Sequence, residues 1–167
     1  MTSLVALSVS IGVLGAIATW LALGPLSGFY IVWVGFIAWA TFFATGGNNE
    51  ALKTTIVSGI WGAVCAWVAL LVIGNVSIGL DTPIWGAIVV GVTVLILCLG
   101  AHVDALKNIP AGVYGYAATA GVGLLMQGAD VTAVGFNNPL IVVSVSIVIG
   151  AVFGLLSGKL AGVLGKG

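Results

Sequence analysis

Charged residues are scarce in this chain of 167 residues, where only 5% are Asp, Glu, Lys or Arg and 61% are hydrophobic. Soluble domains carry roughly 25% charged residues, so the composition excludes a soluble globular domain, a nucleic-acid-binding protein and a disordered tail. The class that remains is an integral membrane protein, and its apolar runs leave no room for a separate soluble domain. We therefore expect a single transmembrane domain over residues 1–167.

Ionisable side chains other than two thiols are missing from the middle of every long apolar run. Those present lie near the ends of runs or in loops: Glu50, Lys53, Asp81, His102, Asp104, Lys107, Asp130, Lys159 and Lys166. Charge inside a membrane usually marks proton or ion coupling, so this distribution disfavours a proton-coupled antiporter or an ion pump. A cation path built from backbone carbonyls stays open, but neutral cargo fits better.

Signatures of catalysis and of metal binding are also lacking. There is no His-Glu-x-x-His pattern, and the glycines before Lys159 are one residue short of a phosphate loop and lack its Ser or Thr. His102 and Asp104 are two residues apart and do not share a helix face. Cys65 and Cys98 lie in apolar runs, where cysteine is most often a small hydrophobic residue. We expect no enzyme activity, no cofactor and no metal.

Six apolar segments remain when Gly, Pro, Asn and charged residues are treated as breaks. They cover about residues 2–23, 27–45, 51–73, 84–103, 109–127 and 139–158. Each has ~19 to 23 residues, or ~29 to 34 Å as a helix, which is enough for one crossing. None shows the alternation of a barrel strand, so the predicted fold is all-α with six transmembrane helices. The second and fifth segments either cross fully or dip into the bilayer and return.

The lysines predict an orientation, because Lys and Arg are enriched in cytoplasmic loops. With six crossings, Lys53, Lys107, Lys159 and Lys166 all fall on one side of the membrane. The loops on the opposite side contain two Asp and no Lys. We therefore expect both termini in the cytoplasm, since five crossings would scatter the lysines over both sides.

The two halves of the chain resemble each other, which is the most informative pattern in the sequence. Asn48-Asn49 precedes a span with the segment 60–64 (Ile-Trp-Gly-Ala-Val), and Asn137-Asn138 precedes one with 148–152 (Val-Ile-Gly-Ala-Val). If each unit has three spans, the two units cross the membrane in opposite directions. The sequence thus predicts two inverted three-helix repeats, about 1–78 and 79–167, an architecture shared by many transporters and channels. Chance similarity between Gly- and Val-rich helices is the alternative.

These segments resemble the YcdZ-like family of bacterial inner-membrane proteins, catalogued as domain of unknown function 1097. The resemblance covers 35–67, with family-like residues at Phe36, Ala44, Gly46-Gly47 and Lys53, and resumes in the proline-initiated, Gly- and Ala-rich segment 109–121. It implies a multi-pass protein of the bacterial inner membrane with a transport role. It supplies no catalytic residue.

The two Asn pairs are candidates for lining opposite mouths of a central path. Asn48, Asn49, Asn137 and Asn138 lie at equivalent points of the two predicted repeats. An amide both donates and accepts hydrogen bonds, as binding of a polar solute requires. Asn also caps helices and forms turns, so a capping role is the alternative for each pair.

Aromatic residues gather on the second segment, where Phe29, Trp33, Phe36 and Phe43 fall on one helical face. Such a face either lines a narrow pore or packs against helices and lipid. Trp39 lies off this stripe and pairs with Tyr116 by position in the repeat. We nominate Trp39, Phe43, Tyr116 and Thr119 as further lining residues.

Small residues recur every fourth position on two helices. Gly150, Gly154, Gly158 and Gly162 follow one another on the sixth segment, and Ala111, Gly115, Thr119 and Gly123 on the fifth. Small side chains allow helices to approach closely in lipid. These faces either bury helices within one chain or join copies into a homo-oligomer, which we expect to form through Gly150, Gly154 and Gly158.

These patterns together predict a passive channel or facilitator for a small uncharged polar solute, urea-like or similar. An alternating-access carrier would use the same repeat. A non-conducting membrane scaffold is the alternative from another class, favoured by the glycine faces and the scarcity of polar lining. The expected partners are the small neutral solute, the lipid bilayer and further copies of the chain.

Overall fold

A computed structural model describes residues 1–165, which form six α-helices, two short 3₁₀ turns and no strand. The helices are α1 (Ser3–Leu23), α2 (Val32–Ala44), α3 (Asn49–Asn75), α4 (Thr82–Leu99), α5 (Ile109–Leu125) and α6 (Pro139–Leu164). The 3₁₀ turns, Gly100–His102 and Asp104–Leu106, connect α4 to α5. The predicted all-α class is confirmed.

Four helices, α1, α3, α4 and α6, are long and apolar enough to cross a membrane. The other two are apolar but shorter, with 13 residues in α2 and 17 in α5. They extend about 20 and 26 Å, against a hydrocarbon core of about 30 Å. The fold therefore combines four helices of membrane length with two shorter ones.

Asn caps and prolines begin most of the helices. Asn48, Asn108 and Asn138 accept hydrogen bonds from backbone N–H groups in the first turns of α3, α5 and α6. Such caps satisfy donors that have no partner inside the helix. Proline occupies one of the first two positions of α4, α5 and α6, where its missing N–H costs nothing.

Two helix boundaries differ by five or more residues from those that the sequence predicts. α2 begins at Val32 rather than near residue 27, because Gly28 takes a left-handed conformation (φ 82°) and Ile31 is extended. The N–H of Ile31 donates to the hydroxyl of Ser146 on α6, which replaces a local cap. α6 continues past residue 158 to Leu164, since a glycine inside a helix costs only about 0.5–1 kcal/mol.

α3 and α6 form the centre of the bundle, and the remaining helices pack around them in a matched way. α3 contacts α4 and α5, α6 contacts α1 and α2, and α3 and α6 contact each other. α1 and α4 are therefore peripheral, and large apolar side chains such as Leu4, Val13, Val92 and Leu95 are exposed on them. These outward faces are suited to lipid.

Glycine brings helix backbones into direct contact in both halves of the chain. A Cβ added at Gly62 of α3 would overlap the carbonyl oxygen of Gly112 in α5, and one added at Gly150 of α6 would overlap that of Gly35 in α2. Gly62 and Gly150 occupy corresponding positions in the two similar segments of the sequence. The same kind of close approach thus joins α3 to α5 and α6 to α2.

The glycine face of α6 is covered largely by α2 of the same chain. Added Cβ atoms at Gly154 and Gly158 would lie 2.7 Å from Phe42 and 3.7 Å from Phe43, while nothing among residues 1–165 lies within 4 Å of one at Gly162. Gly150 and Gly154 are buried within the chain, and Gly158 is partly exposed.

The bundle has two ends of different charge. One end, which we call the lysine end, contains Lys53 near the start of α3, Lys107 just before α5 and Lys159 near the end of α6. The loops after α3 and α5 form the opposite end, called the aspartate end after Asp81 and Asp130. The fourth lysine, Lys166, lies outside the described residues.

Candidate functional site

A small cavity lies where α2, α3, α5 and α6 meet, and we call it the central cavity. Its volume is about 10 Å³, enough for about one water molecule. Thr41 of α2, Thr55 and Gly59 of α3, Gly115 of α5 and Ile147 of α6 are among the residues that line it. Both short helices thus contribute to its wall.

The two threonines of the central cavity differ in their hydrogen bonding. Thr41 donates its hydroxyl to the carbonyl oxygen of Ile37, one turn earlier, at 2.7 Å. The hydroxyl of Thr55 is buried and has no hydrogen-bond partner among residues 1–165. An unpaired buried hydroxyl is costly, so Thr55 offers the cavity a donor and an acceptor that the protein itself leaves unused.

A larger opening of about 430 Å³ lies at the aspartate end, between the end of α1, the start of α2 and the loop after α5. We call it the aspartate-end pocket. Tyr30, Gln127 and Asn137 give it polar character. The hydroxyl of Tyr30 is buried against Gly35 of α2 and has no hydrogen-bond partner among the described residues.

Three valines separate the aspartate-end pocket from the central cavity. Val122 and Val142 line the pocket, Val34 lines the cavity, and all three belong to one buried apolar cluster. Their exposed fractions are 1 to 4%. We call these three residues the valine plug, because they line the two openings and pack in the same buried cluster.

A groove of about 270 Å³ continues from the central cavity toward the lysine end. It shares Ile37, Thr41 and Tyr114 with the cavity and adds Ala40 and Ala44 near the end of α2. Because Ala40, Ala44 and Tyr114 are exposed, this lysine-end groove is open on one side. The three openings follow one another along the interface of α2 and α5.

The linings of these three openings are electrically neutral. Within residues 1–165, no Asp, Glu, Lys, Arg, His or Cys lines any of them. An ion in the central cavity would lose its water shell and find no opposite charge, a cost of several kcal/mol or more. A small neutral molecule would lose only a few hydrogen bonds, of which Thr55 can restore at least one.

The four nominated Asn residues lie at the two ends of the bundle. Asn48 caps α3 at the lysine end, and the exposed Asn49 is the first residue of that helix. Asn138 caps α6, and its amide donates to the carbonyl oxygens of Val131 and Ala133. The exposed Asn137 is the one of the four that lines the aspartate-end pocket.

Trp39 and Phe43 line an apolar groove between α1 and α2 rather than the central cavity. The indole N–H of Trp39 donates to the hydroxyl of Ser157 on α6 at 2.9 Å, and its ring stacks on Phe153. Phe43 belongs to the aromatic stripe of the second segment, and the other members of that stripe, Phe29, Trp33 and Phe36, are 42 to 48% exposed. The stripe therefore faces the outside of the bundle along much of its length.

Tyr116 and Thr119 of α5 lie close to the central interface without lining the cavity. The hydroxyl groups of Tyr116 and Thr93 on α4 are hydrogen-bonded at 2.9 Å. Thr119 is fully buried, and its hydroxyl has no partner within residues 1–165. Both residues therefore lie on α5, one of the helices that line the central cavity, but on other faces of it.

Charged groups outside the openings interact at the two ends of the bundle. At the lysine end, Lys107 donates to a carboxylate oxygen of Glu50 at 2.6 Å, and this hydrogen bond raises the pKa of Lys107. At the aspartate end, the hydroxyl and backbone N–H of Thr132 donate to Asp130 and lower the pKa of its carboxyl group. Both pairs are exposed, so each adds little stability.

Thr41, Thr55 and the valine plug are site residues that sequence reasoning missed. Thr55 follows Lys53 and Thr54 at the start of an apolar helix. This position shows that a polar residue lies where the helix enters the bundle. No pattern in the sequence distinguishes Thr55 from Thr54, whose hydroxyl bonds to the carbonyl oxygen of Glu50. That difference arises only from how α3 packs.

Comparison with known proteins identifies a family. No curated protein and no solved structure matches the chain. The family described as "Protein of unknown function (DUF1097)" matches residues 8–162. The match includes all six helices apart from the ends of α1 and α6. The chain therefore belongs to this family, which is the one that the sequence resembles.

Proposed function

We propose that the protein is a passive facilitator of a small uncharged polar solute, which passes along the interface of α2 and α5. The observation that carries this proposal is Thr55, whose buried hydroxyl has no partner among residues 1–165 and which lines a cavity between openings toward both ends. The neutral lining favours an uncharged solute. The apolar composition and family membership support a membrane role.

The valine plug is the gate of the proposed path. A constriction of apolar side chains blocks water and polar solutes even where it is narrow for only a short distance. Rotation of the side chains of Val34, Val122 or Val142 would connect the aspartate-end pocket to the central cavity. Such a gate opens by side-chain rotation and needs no coupled ion or ATP hydrolysis, which agrees with passive transport.

Two inverted repeats, about 1–78 and 79–167, are the architecture that we propose for this path. The support is the matched packing of α3 on α5 and of α6 on α2, each with a glycine backbone contact at the corresponding position. In transporters built this way, substrate sites lie at the repeat interface near the middle of the bilayer. The central cavity is lined by helices of both proposed repeats, which supports such a site.

We further propose that the lysine end faces the cytoplasm of a bacterial cell, as the positive-inside rule predicts. Lys53, Lys107 and Lys159 support this orientation because they lie at one end. A neighbouring copy packed on the exposed side of α2 and α5 would also close the lysine-end groove against lipid. Such a homo-oligomer would leave the glycine face of α6 inside each copy.

An alternating-access carrier is the second candidate, favoured by one observation. The aspartate-end pocket and the lysine-end groove are separated by the valine plug, as the two access routes of a carrier would be. Saturable uptake with counterflow would identify a carrier, whereas a facilitator conducts in proportion to the gradient.

Stopped-flow light scattering on proteoliposomes tests the proposed function. The panel contains water, ammonia, formamide, urea and glycerol, and empty liposomes supply the baseline. We expect protein-dependent permeability to at least one solute, increased in Val122→Ala, which widens the plug. The matched control is Val92→Ala, because Val92 is 51% exposed on α4. Baseline permeability to every solute in both the native protein and Val122→Ala would refute the facilitator and favour the scaffold.

A further inference from the structure

We propose that the central cavity is a size filter that admits neutral hydrogen-bonding molecules of one or two non-hydrogen atoms and excludes urea-sized solutes. Water, ammonia and methylamine share the required chemistry. This inference rests on the proposed function and narrows its cargo. The filter comprises Thr55, Gly59 and Gly115, which line the cavity together.

The cavity volume supports the size limit. About 10 Å³ holds about one water molecule, whereas urea has four non-hydrogen atoms. The aspartate-end pocket and the lysine-end groove are each more than twenty times larger. Size selection along the path therefore takes place in the central cavity.

The wall formed by α3 and α5 cannot widen without separating these helices. A Cβ added at Gly115 would overlap the carbonyl oxygen of Gly59, and the contact of Gly62 with Gly112 lies one turn away. Backbone atoms already touch at both places. The side of the cavity next to Thr55 is therefore set by the backbone, which lacks the rotameric freedom of side chains.

The hydroxyl of Thr55 is set apart from its neighbours by its lack of a local hydrogen bond. Buried Thr and Ser in apolar helices usually bond to a carbonyl oxygen one turn earlier, as Thr54, Thr93 and Ser146 do here. The hydroxyl of Thr55 makes no such bond within the described residues. It can therefore give one hydrogen bond to a passing solute and accept another.

Permeability of proteoliposomes to solutes of increasing size tests the filter on the native protein. Water flux is followed by light scattering, ammonia and methylamine entry by an internal pH dye, and urea by shrinkage and re-swelling. We expect protein-dependent flux of water, ammonia or methylamine and none of urea. Urea flux comparable to that of the smaller molecules would overturn the size filter and leave the proposed function standing. Baseline flux for every solute would overturn both.

Variants at Thr55 test the hydroxyl separately. Thr55→Val keeps the shape of the side chain and removes its hydrogen bonds, and Thr55→Ser keeps the hydroxyl. The matched control is Thr54→Val, which changes the adjacent buried residue outside the cavity lining. We expect the flux through Thr55→Val to fall roughly three- to tenfold, as the loss of one hydrogen bond implies.

Thr54→Val should remain within about twofold of the native flux, and Thr55→Ser should restore the flux that Thr55→Val loses, since both retain the hydroxyl at residue 55. Equal flux through Thr55→Val and the native protein would overturn the role of the hydroxyl. Size-exclusion profiles and circular dichroism establish that each variant is folded. Should Thr55→Val fail that check, the comparison of Thr55→Ser with Thr55→Cys decides, because a thiol is a weak hydrogen-bond donor.

Discussion

Alanine at Gly62 is the perturbation for which the structure predicts the sharpest effect on stability. The added Cβ would overlap the carbonyl oxygen of Gly112, which belongs to the backbone of α5 and has no rotamer to change. The helices must therefore separate or shift. Overpacking of this kind typically costs about 1–3 kcal/mol.

Gly91→Ala is the matched control, because Gly91 lies in the exposed part of α4 and nothing is within 4 Å of its added Cβ. Alanine there restricts the unfolded chain and should stabilise the protein by about 0.5–1 kcal/mol. The two variants are thus expected to differ by roughly 1.5–4 kcal/mol in free energy of unfolding. Gly150→Ala should behave like Gly62→Ala, since it would overlap the carbonyl oxygen of Gly35.

The assay is reversible unfolding in mixed micelles with increasing sodium dodecyl sulfate, followed by tryptophan fluorescence and circular dichroism. Retention of native stability by Gly62→Ala, within about 0.5 kcal/mol, would refute the close backbone contact of α3 and α5. A loss confined to Gly62→Ala and absent from Gly150→Ala would refute the matched packing of the two halves.

Two further predictions concern the ends of the bundle. Asn138→Ala removes the cap of α6 and two hydrogen bonds to the preceding loop, so it should cost about 1–2 kcal/mol in the same unfolding assay. The exposed Asn137 is the control, and equal effects of the two alanines would contradict the capping role. The Lys107–Glu50 pair should stabilise the protein between pH 4.5 and pH 10.5, the ordinary pKa values of the two groups, and lose this effect as the pH rises through the raised pKa of Lys107. A pH series of unfolding midpoints measures it, and a native protein that responds to alkaline pH as Lys107→Gln does would contradict the prediction.

Helix positions were largely predictable from the sequence, because local residues determine them. Long apolar runs, Asn caps and prolines mark where α3, α5 and α6 begin. The predicted start of α2 was wrong. The backbone N–H of Ile31, just before the helix, donates to Ser146, which is 115 residues away in the chain. A cap supplied by a distant helix leaves no mark in the local pattern.

The candidate site was less predictable for a similar reason. The repeat drew attention to the second and fifth segments, and α2 and α5 are among the helices that line the central cavity. Which residues face it depends on the rotation of each helix in the bundle. Trp39 turns toward Ser157, whereas Thr41, two residues later, lines the cavity. Side-chain size and polarity alone do not set that rotation.

Solute flux before and after chemical block of the central cavity tests the account most directly. Ile37→Cys, in a background with Cys65→Ser and Cys98→Ser, places a thiol where the cavity meets the lysine-end groove. Val134→Cys, fully exposed in the loop before α6, is the control for modification by a methanethiosulfonate reagent. The account predicts that modification at residue 37 reduces solute flux to that of empty liposomes while modification at residue 134 leaves it unchanged. Undiminished flux after complete modification at residue 37 would contradict a path between α2 and α5.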